Sequence, residues 1–555
     1  MKVLFKISFI LIFLLISFLL LNIILKPVFL SNTIIIPYSL NEFNICEKNP
    51  LLWEYLKIFY IIFYLLSSLI LSSFLFNLIF KNVSFKKKNL IKSSITRELR
   101  LNLGKDDANK DIYIDSSGLY QNFLITGTTG SGKTTSAIYP ITKQLLEFDK
   151  KIGMLILDVK GNFSKQVKSF CADCNRLDDL YTLEINGSFK YNPLDKPLMP
   201  ALTLANRLKT ILTLFSENNS DSYWLDKVEQ IFCESIKLCR LYNDNYVTFL
   251  EIHKLITDKT YYIEKTSVLK KSFQSNSFSS IQHHDLLTAI SFFENEFYNL
   301  DQKVLSILRS EVTRITTLFI SDINVLNTFC PNKQETSAFK GFDYIIKYNK
   351  ILVMNINIIN YKNLSKVIAA YLKLDFQDEV LLNLNNNTIC TTAFICDEFH
   401  EYVTATDANF FSLSREAKCI NIVATQSYSS LLNTIKNEYT TKVIIQNLIN
   451  KLWFRTDDLY TIEDAQKQIG KEDKEKVSKN ISESSNFVQY NFLINSLKSN
   501  TSNFSEGTST YIQTDYVYDT NFFTHSLKTF EALAFLSNGY EIIYSSKLYL
   551  TPFFK

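Results

Sequence analysis

The amino-acid sequence predicts an α/β fold with a doubly wound parallel sheet, a helical insertion and two apolar helices at the N-terminus. From residue 122 onward, short apolar runs with strand character alternate with helical stretches, which favours parallel strands joined by helices. Between residues 195 and 351 the helical period dominates. Within the first 80 residues, two apolar runs are each long enough to cross a bilayer as a helix.

The composition sets limits on size and function. A chain of 555 residues with 46% hydrophobic content can bury a large core, and its length suggests two or three folded units. The formal charge of +4 is the small difference between 59 basic and 55 acidic residues, so a protein that coats nucleic acid through its overall charge is disfavoured. Of the nine cysteines only Cys171 and Cys174 have a C-x-x-C spacing, and free thiols are favoured over the alternative of a metal or redox role.

The first 80 residues have the pattern of a membrane anchor. Residues 7–25 and 58–80 are apolar and uncharged, and each could span a hydrocarbon core of ~30 Å. A cleavable signal peptide is the alternative for the first run, but the run is long for a signal core and no small-x-small cleavage site follows. Lysines precede the first run and follow the second, so we expect a multi-pass hairpin with an outward-facing loop and both termini of the chain in the cytoplasm.

A glycine-rich segment after the run at residues 122–126 predicts a phosphate-binding loop. Its sequence, G-T-T-G-S-G-K-T, is a complete G-x-x-x-x-G-K-[ST] match between a strand and a helix in which Pro140 should cause a kink. The glycines allow backbone N–H groups to approach phosphates, while Lys133 reaches the β- and γ-phosphates of ATP and Thr134 binds Mg²⁺. The residues predicted to bind the nucleotide are Gly127, Thr128, Thr129, Gly130, Ser131, Gly132, Lys133, Thr134 and Thr135.

Acidic and polar residues follow two later strands. The apolar run 392–396 ends in Asp397 and Glu398, which are suited to hold Mg²⁺ through water and to act as general base on the attacking water. A surface Asp-Glu pair is the alternative. The next strand, 420–424, leads to Gln426, the position at which RecA-like motors keep a γ-phosphate sensor. Since carboxyl ends of parallel strands share one edge of a sheet, we expect these side chains to meet the phosphate loop there, with Lys133, Glu398 and Gln426 as catalytic groups.

The remaining pattern predicts the domain organisation. After the anchor, residues 81–196 form the first part of an ATPase domain, residues 197–335 an inserted all-α domain and residues 336–555 the second part. Packing explains the apolar stripes of the helices, and a docking surface for DNA or protein is the alternative. A Ser- and Asn-rich segment at about 478–509 predicts a mobile loop, and residues 540–549 predict an edge strand that closes the sheet.

The ordered set of motifs resembles the conjugative type IV coupling proteins, the TraG/TraD family of DNA-transfer ATPases. The resemblance covers nearly the whole chain and implies a RecA-like P-loop NTPase domain with an inserted all-α domain and an N-terminal two-helix transmembrane anchor. The segment from Asp158 to Asn162 departs from the family pattern D-P-K-G-E at Val159 and Asn162. Besides the anchor, phosphate loop and insertion, the motifs that carry the resemblance are Ala137-Ile-Tyr-Pro140, Asp158-Val-Lys-Gly161, Tyr191-Asn-Pro-Leu194, Asp397-Glu-Phe399, Thr425-Gln-Ser427 and Asn450-Lys451.

The resemblance implies an ATP-hydrolysing motor that recruits and pumps single-stranded DNA, or a relaxase–DNA complex, to a type IV secretion channel. It implies a homo-hexameric ring at the bacterial inner membrane whose partners are single-stranded or double-stranded DNA, a relaxase or effector protein and channel components. Such rings usually place an arginine of the neighbouring subunit at the γ-phosphate. Arg415 and Arg455 are the candidates, and a surface salt bridge is the alternative for each.

Two other functions remain open on the sequence. A DNA translocase of the FtsK/HerA kind would share the motor chemistry, and a winged-helix domain at its C-terminus would favour it. A recruiter of protein substrates in which nucleotide acts as a conformational switch would bind ATP without turnover. An ABC transporter is disfavoured because the sequence contains no L-S-G-G-Q-like signature.

Overall fold

The computed structural model describes most of the chain after residue 97. The described residues are 98–158, 161–214, 222–274, 278–335, 341–385, 389–484, 490–491, 496–497 and 503–554. They belong to one compact unit, residues 97–555. Residues 1–96 form a separate unit, of which the structure describes five exposed helical residues: Leu51, Tyr55, Ile58, Phe59 and Ile62.

The predicted location in the bacterial inner membrane as a multi-pass protein is corrected by the structure. Within the described part of the chain, no helix combines the length and the apolar character that crossing a bilayer requires. The longest helices there, Ser222–Tyr242 and Ile358–Leu382, carry charged residues at intervals along their length. The two runs from which the anchor was predicted, residues 7–25 and 58–80, lie outside the described residues, apart from Ile58, Phe59 and Ile62.

Eleven of the described strands form one mixed sheet. The order across it is β2-β1-β15-β14-β9-β3-β8-β7-β4-β6-β5, in which the seven strands from β9 to β5 are parallel and the other four are antiparallel to their neighbours. The strands are β1 (Arg100–Lys105), β2 (Asp111–Asp115), β3 (Phe123–Thr126), β4 (Gly153–Leu157), β5 (Leu180–Leu183), β6 (Ile351–Met354), β7 (Thr392–Cys396), β8 (Cys419–Thr425), β9 (Asn450–Phe454), β10 (Lys471–Ser484), β11 (Tyr490–Asn491), β12 (Ser496–Leu497), β13 (Asn503–Tyr516), β14 (Glu531–Ser537) and β15 (Ile542–Tyr549).

Helices cover both faces of the parallel part of the sheet. Every residue of β3, β4, β6, β7, β8 and β9 is buried, as expected for strands covered on both sides. The helices are α1 (Ser116–Leu119), α2 (Tyr139–Glu147), α3 (Phe163–Asp173), α4 (Ala201–Thr213), α5 (Ser222–Tyr242), α6 (Phe249–Thr257), α7 (Lys259–Gln274), α8 (Ser280–Ser291), α9 (Gln302–Ile320), α10 (Ile323–Phe329), α11 (Phe342–Lys347), α12 (Ile358–Leu382), α13 (Asp407–Leu413), α14 (Tyr428–Ile435), α15 (Glu438–Asn447) and α16 (Leu459–Ile469).

The helical insertion occupies the chain between β5 and β6. Its helices α4 to α10 run from Ala201 to Phe329, and α5 buries one face at Val228, Phe232 and Ile236. These residues belong to the same apolar core as residues of β4, including Leu155. The insertion is therefore packed onto one face of the sheet through a continuous core.

Two predictions for the C-terminal third are wrong. The strand expected at the sheet edge, β15, lies between β1 and β14, because the β1–β2 hairpin pairs on its outer side. The loop expected at about 478–509 consists in part of paired strands. Its two ends belong to β10 and β13, which pair antiparallel from Lys471↔Tyr516 to Ser484↔Asn503. Backbone pairing needs no apolar side chains, which explains why a polar sequence could form this two-stranded ribbon.

Candidate functional site

The glycine-rich loop leaves β3 at the carboxyl edge of the sheet and is held by the two neighbouring strands. The Gly127 N–H donates to the Gln426 carbonyl at 3.2 Å, just after β8, and the Thr128 N–H donates to the Arg455 carbonyl at 2.9 Å, just after β9. Gly127 has a φ of +153°, and a Cβ there would lie 2.6 Å from Cβ of Phe454. The close approach of these strands therefore requires glycine at the start of the loop.

Lys133 lies across the loop. Its buried side chain donates from Nζ to the carbonyls of Gly127 at 2.5 Å and Thr128 at 3.3 Å. The helix starts with a wide π-helical turn, Lys133–Ile138, and continues as α2. This turn lies immediately before Pro140, where a regular α-helix would place the proline ring against a carbonyl of the preceding turn.

The other predicted loop residues complete the same turn. The Ser131 hydroxyl donates to the Thr128 carbonyl at 2.8 Å, and the Thr135 hydroxyl donates to the Gly132 carbonyl at 3.2 Å. Gly130 and Gly132 have positive φ values of 82° and 100°. Such backbone angles strain residues that have a Cβ, so the loop needs glycine at both positions. In the sequence, Thr129 lies between the end of β3 and Gly130.

The first acidic residue after β7 meets the phosphate loop. The Thr134 hydroxyl donates to Oδ2 of Asp397 at 2.8 Å, and the Glu398 N–H donates to Oδ1 of the same carboxylate at 3.0 Å. The Asp397 N–H donates to the Leu157 carbonyl at 3.1 Å, which ties the ends of β7 and β4 together. Asp397 is 3% exposed. Its carboxylate is therefore fixed from two sides.

The second acidic residue faces the glutamine after β8. Glu398 is buried, with a φ of 52° in the left-handed region, and its Oε2 accepts a hydrogen bond from Nε2 of Gln426 at 3.3 Å. Left-handed backbone is uncommon outside glycine and often marks a functional position. The structure thus brings together Lys133, Thr134, Asp397, Glu398 and Gln426, as the sequence predicted, at one edge of the sheet.

His400 is a neighbour of this group that the sequence did not single out. Its Nδ1 lies 3.8 Å from Oε2 of Glu398 and 3.2 Å from the Thr425 hydroxyl, and its Nε2 lies 3.7 Å from Oε1 of Glu401. Burial lowers the pKa of His400, which favours the neutral ring. No spacing rule marks a histidine two residues after an acidic pair, so only the three-dimensional contacts identify it.

The end of β4 contributes a third carboxylate. Oδ2 of Asp158 accepts the Phe163 N–H at 3.0 Å near the start of α3. Burial raises the pKa of Tyr139 to about 12, and the charges of Asp158 and Asp397 act in the same direction. Tyr139, at the start of α2, therefore stays a neutral phenol. Of the two departures from the D-P-K-G-E pattern, Val159 lies outside the described residues and Asn162 immediately precedes α3.

The two candidate arginines lie at opposite edges of the sheet. Nη2 of Arg415 donates to the Gly539 carbonyl at 3.3 Å, beyond the end of β14 and so at the amino edge of the parallel strands. Arg455 follows β9 at the carboxyl edge, where its side chain is exposed and its carbonyl holds Thr128. Within one subunit, Arg415 is therefore remote from the phosphate loop and Arg455 is adjacent to it.

The residues at this edge fit a magnesium–triphosphate group. The Thr134 hydroxyl and the Asp397 carboxylate are hard oxygen donors in contact with each other, which is the donor type that Mg²⁺ prefers. Lys133 is the nearby cation, and its Nζ donates to carbonyls of its own loop. A loop of this form with a helix behind it is suited to anions.

Comparisons with protein families match two parts of the chain. Residues 391–515 match the family model described as the TraM recognition site of TraD and TraG. Residues 101–374 match the model described as the central domain of the helicase HerA. No curated protein sequence matches the chain significantly.

Comparisons with solved structures give the fold. The unbound monoclinic form of the bacterial conjugative coupling protein TrwBdeltaN70 is 11% identical, with a TM-score of 0.53 over 79% of this chain and 87% of that one. TrwB with the GTP analogue GDPNP is 12% identical, with a TM-score of 0.52 over 79% and 87%. TrwB with ADP and Mg²⁺ is 12% identical, with a TM-score of 0.51 over 78% and 86%. The chain therefore has the RecA-like α/β P-loop NTPase fold.

Proposed function

Because the chain belongs to the TraG/TraD family of type IV coupling proteins, we propose that it is an ATPase that recruits and pumps DNA for conjugative transfer. Its substrate would be single-stranded DNA or a relaxase–DNA complex, delivered to a type IV secretion channel. The observation that carries the proposal is the meeting of Lys133, Thr134, Asp397, Glu398 and Gln426 at one sheet edge. ATP would be the fuel, as the TrwB complex with ADP and Mg²⁺ suggests.

The phosphate loop would bind and orient the triphosphate. Lys133 is placed to leave the carbonyls of its own loop and to donate to the β- and γ-phosphate oxygens. Thr134 and Asp397 would hold Mg²⁺, which supplies neutralisation of phosphate charge when it is bound. The glycines of the loop keep the backbone N–H groups clear of side chains, so that they can donate to phosphate oxygens.

Glu398 would accept the proton of the attacking water. Gln426 donates to Oε2 of Glu398, which orients that carboxylate for proton transfer from water. Gln426 also lies at the end of the strand next to β3, and its carbonyl holds Gly127. A shift of the loop when phosphate is lost would therefore be transmitted to β8 and to the base.

A homo-hexameric ring would supply the remaining positive charge from a neighbouring subunit. Arg415 is the candidate, because it is too remote from its own phosphate loop to act within the subunit. We expect Arg415→Ala and Lys133→Ala proteins to be inactive alone and to regain ATP turnover when mixed, since one mixed interface has an intact loop and an intact arginine. Steady-state phosphate release during a titration of one variant into the other measures this.

The matched comparison is Arg455→Ala, mixed with Lys133→Ala in the same way. Arg455 lies beside its own loop, so a defect there that acts within the subunit gives no recovery on mixing. Recovery with Arg455→Ala and none with Arg415→Ala would move the trans-acting role to Arg455. Native mass spectrometry of each mixture verifies that both proteins enter the same ring.

DNA binding by the proposed motor should depend steeply on salt. Contacts to phosphates release counterions, so the logarithm of the association constant should fall with the logarithm of salt concentration by about 0.7 for each phosphate contacted on a single strand. Fluorescence anisotropy with a labelled oligonucleotide, repeated over a salt series, measures the slope. ATP turnover should rise when the same DNA is added. A salt-independent affinity, or turnover that DNA does not change, would contradict a motor that tracks the backbone.

The match to the HerA central domain favours a second candidate, a DNA translocase of the FtsK/HerA kind. The two candidate functions differ in whether the protein recognises a relaxase. A coupling protein should bind a relaxase–DNA complex more tightly than the same DNA alone, whereas for a translocase of the FtsK/HerA kind the relaxase should not change the affinity. Pull-down with a purified relaxase in the presence and absence of its DNA separates them.

A further inference from the structure

Aromatic residues from the C-terminal end of the chain lie beside the phosphate loop. The Phe530 N–H donates to the Ser131 carbonyl at 3.1 Å, and Phe530 has a φ of 70°, in the left-handed region. Its ring lies against Gly132, where a Cβ would be 2.6 Å from Cδ1 of the ring. Glycine in the loop and a left-handed backbone at Phe530 together allow this ring to approach the loop closely.

The last described residues, 550–554, place further aromatic rings beside the first turn of the helix that follows the phosphate loop. The Leu550 N–H donates to the Phe530 carbonyl at 2.9 Å, and the Phe553 N–H donates to the Thr135 carbonyl at 3.0 Å. The ring of Phe553 packs edge-on against Tyr139, with 5.1 Å between centroids. Backbone hydrogen bonds thus fix Phe530 to Ser131 and the C-terminal segment to Phe530 and Thr135.

The ring of Phe554 is exposed to solvent and lies next to the ring of Phe530. The two ring centroids are 6.2 Å apart at an interplanar angle of 72°, and Phe554 is 60% exposed. Exposure of a large apolar ring to water is unfavourable, and the flat face of the Phe554 ring is the kind of surface on which planar rings stack.

The position of these rings relative to the loop decides what they can contact. Asp397 and Glu398 lie on the side of Thr134, which makes that side the γ-phosphate end. Phe530 and the 550–554 segment contact Gly132 and Thr135 instead. A nucleotide whose γ-phosphate faces the acidic pair must direct its sugar and base away from that pair, and the aromatic surface is available beside the loop.

We propose that Phe530 and Phe554 form a base subsite, in which the purine ring of the nucleotide stacks on the exposed face of Phe554 and contacts the edge of Phe530. This inference rests on the proposed nucleotide-binding function of the same loop. Every base has a π-face, so stacking by itself is tolerant of the base. The subsite should therefore hold adenine and guanine with similar strength and add affinity that the phosphates alone do not supply.

The test compares a ligand that has a base with one that has none. Isothermal titration calorimetry of the full-length protein measures the Kd for ATP and for inorganic tripolyphosphate, each with Mg²⁺. Phe554→Ala should weaken ATP binding by about 5-fold to 100-fold, the range typical of one lost base–aromatic stack, and should leave the tripolyphosphate Kd unchanged. GTP should be weakened by the same factor as ATP. Because Phe554 is exposed, this substitution should not disturb folding.

The control is Tyr540→Ala, which removes an aromatic side chain that is 90% exposed and follows Gly539 at the opposite edge of the sheet. Its affinities for both ligands should equal those of the wild type. A second variant, Phe554→Trp, gives a direct spectroscopic readout: its added fluorescence should change on binding ATP and stay constant on binding tripolyphosphate.

Three outcomes of these titrations would contradict the proposal. An unchanged ATP Kd in Phe554→Ala overturns the base subsite and leaves the phosphate site intact. An equal loss for ATP and tripolyphosphate also overturns it, since Phe554 would then only support the loop. If the wild-type protein binds neither ligand, the proposed nucleotide-binding function fails and this inference fails with it.

Discussion

Replacing Lys133 with alanine is expected to eliminate measurable ATP turnover. The side chain is the buried cation of the phosphate loop, and its Nζ donates to the carbonyls of Gly127 and Thr128. Each hydrogen bond to a charged group contributes about 1.5–3 kcal/mol, so loss of the ammonium contacts with two phosphates should weaken ATP binding about 100-fold or more. Loss of charge stabilisation in the transition state should add about 10²–10³ in kcat. Phosphate release and titration calorimetry measure the two effects separately.

The matched control is Lys143→Ala. Lys143 lies on α2, the helix that continues from the same loop, and pairs with Glu147 on its exposed side. Exposed pairs of this kind contribute little to stability, so turnover should be near that of the wild type. Unchanged turnover in Lys133→Ala itself would mean that the loop does not bind the reacting phosphates, and the proposed ATPase function would fall with it.

Replacing Glu398 with glutamine should separate binding from hydrolysis. The substitution keeps the size of the side chain and removes the carboxylate that is proposed to accept the proton of water. General bases contribute about 10²–10⁴-fold, so kcat should fall by that factor. ATP affinity should change little, because Lys133, Thr134 and Asp397 are the groups assigned to the triphosphate and Mg²⁺. Single-turnover kinetics with a large excess of protein measures the chemical step directly.

A neighbouring glutamate supplies the control for that substitution. Glu401 pairs with Lys366 and faces the other nitrogen of His400, so Glu401→Gln changes the charge close to the site and leaves Glu398 in place. Its single-turnover rate should stay far above that of Glu398→Gln. Normal single turnover in Glu398→Gln would show that the base is another residue. Turnover lost equally in both variants would indicate that the local charge, rather than Glu398, controls the rate.

The parts of the site that could be predicted are those carried by short contiguous motifs. The G-x-x-x-x-G-K-[ST] loop requires glycines at fixed spacing, and the structure shows why at Gly127, where a Cβ would collide with the next strand. Asp397, Glu398 and Gln426 each follow an apolar strand, and parallel strands end at one edge, so their meeting followed from sequence order and strand direction. Their catalytic roles stay predictions until the variants are measured.

Other contacts were not predictable because they depend on a local turn of the backbone or join residues that are distant in the chain. His400 lies beside Glu398 where the backbone at Glu398 is left-handed, a conformation that no sequence pattern indicates. Phe530 reaches the phosphate loop across about 400 residues of sequence, and no periodicity links them. The ribbon of β10 and β13 has few apolar residues, so a reading based on hydrophobic pattern assigned it to a loop.

By itself, the sequence determined a strand-loop-helix unit with the phosphate-loop motif, an acidic pair and a polar residue on later strands, and a helical insertion between them. These features depend on local backbone geometry and on the burial of short apolar runs, both of which neighbouring residues specify. The tertiary structure alone decided that β15 lies inside the sheet, that Arg415 and Arg455 occupy opposite edges, and that the C-terminal phenylalanines lie beside the loop. Those arrangements depend on which distant segments pair and pack, and the pairing that is adopted is the one that gives the whole fold the lowest free energy.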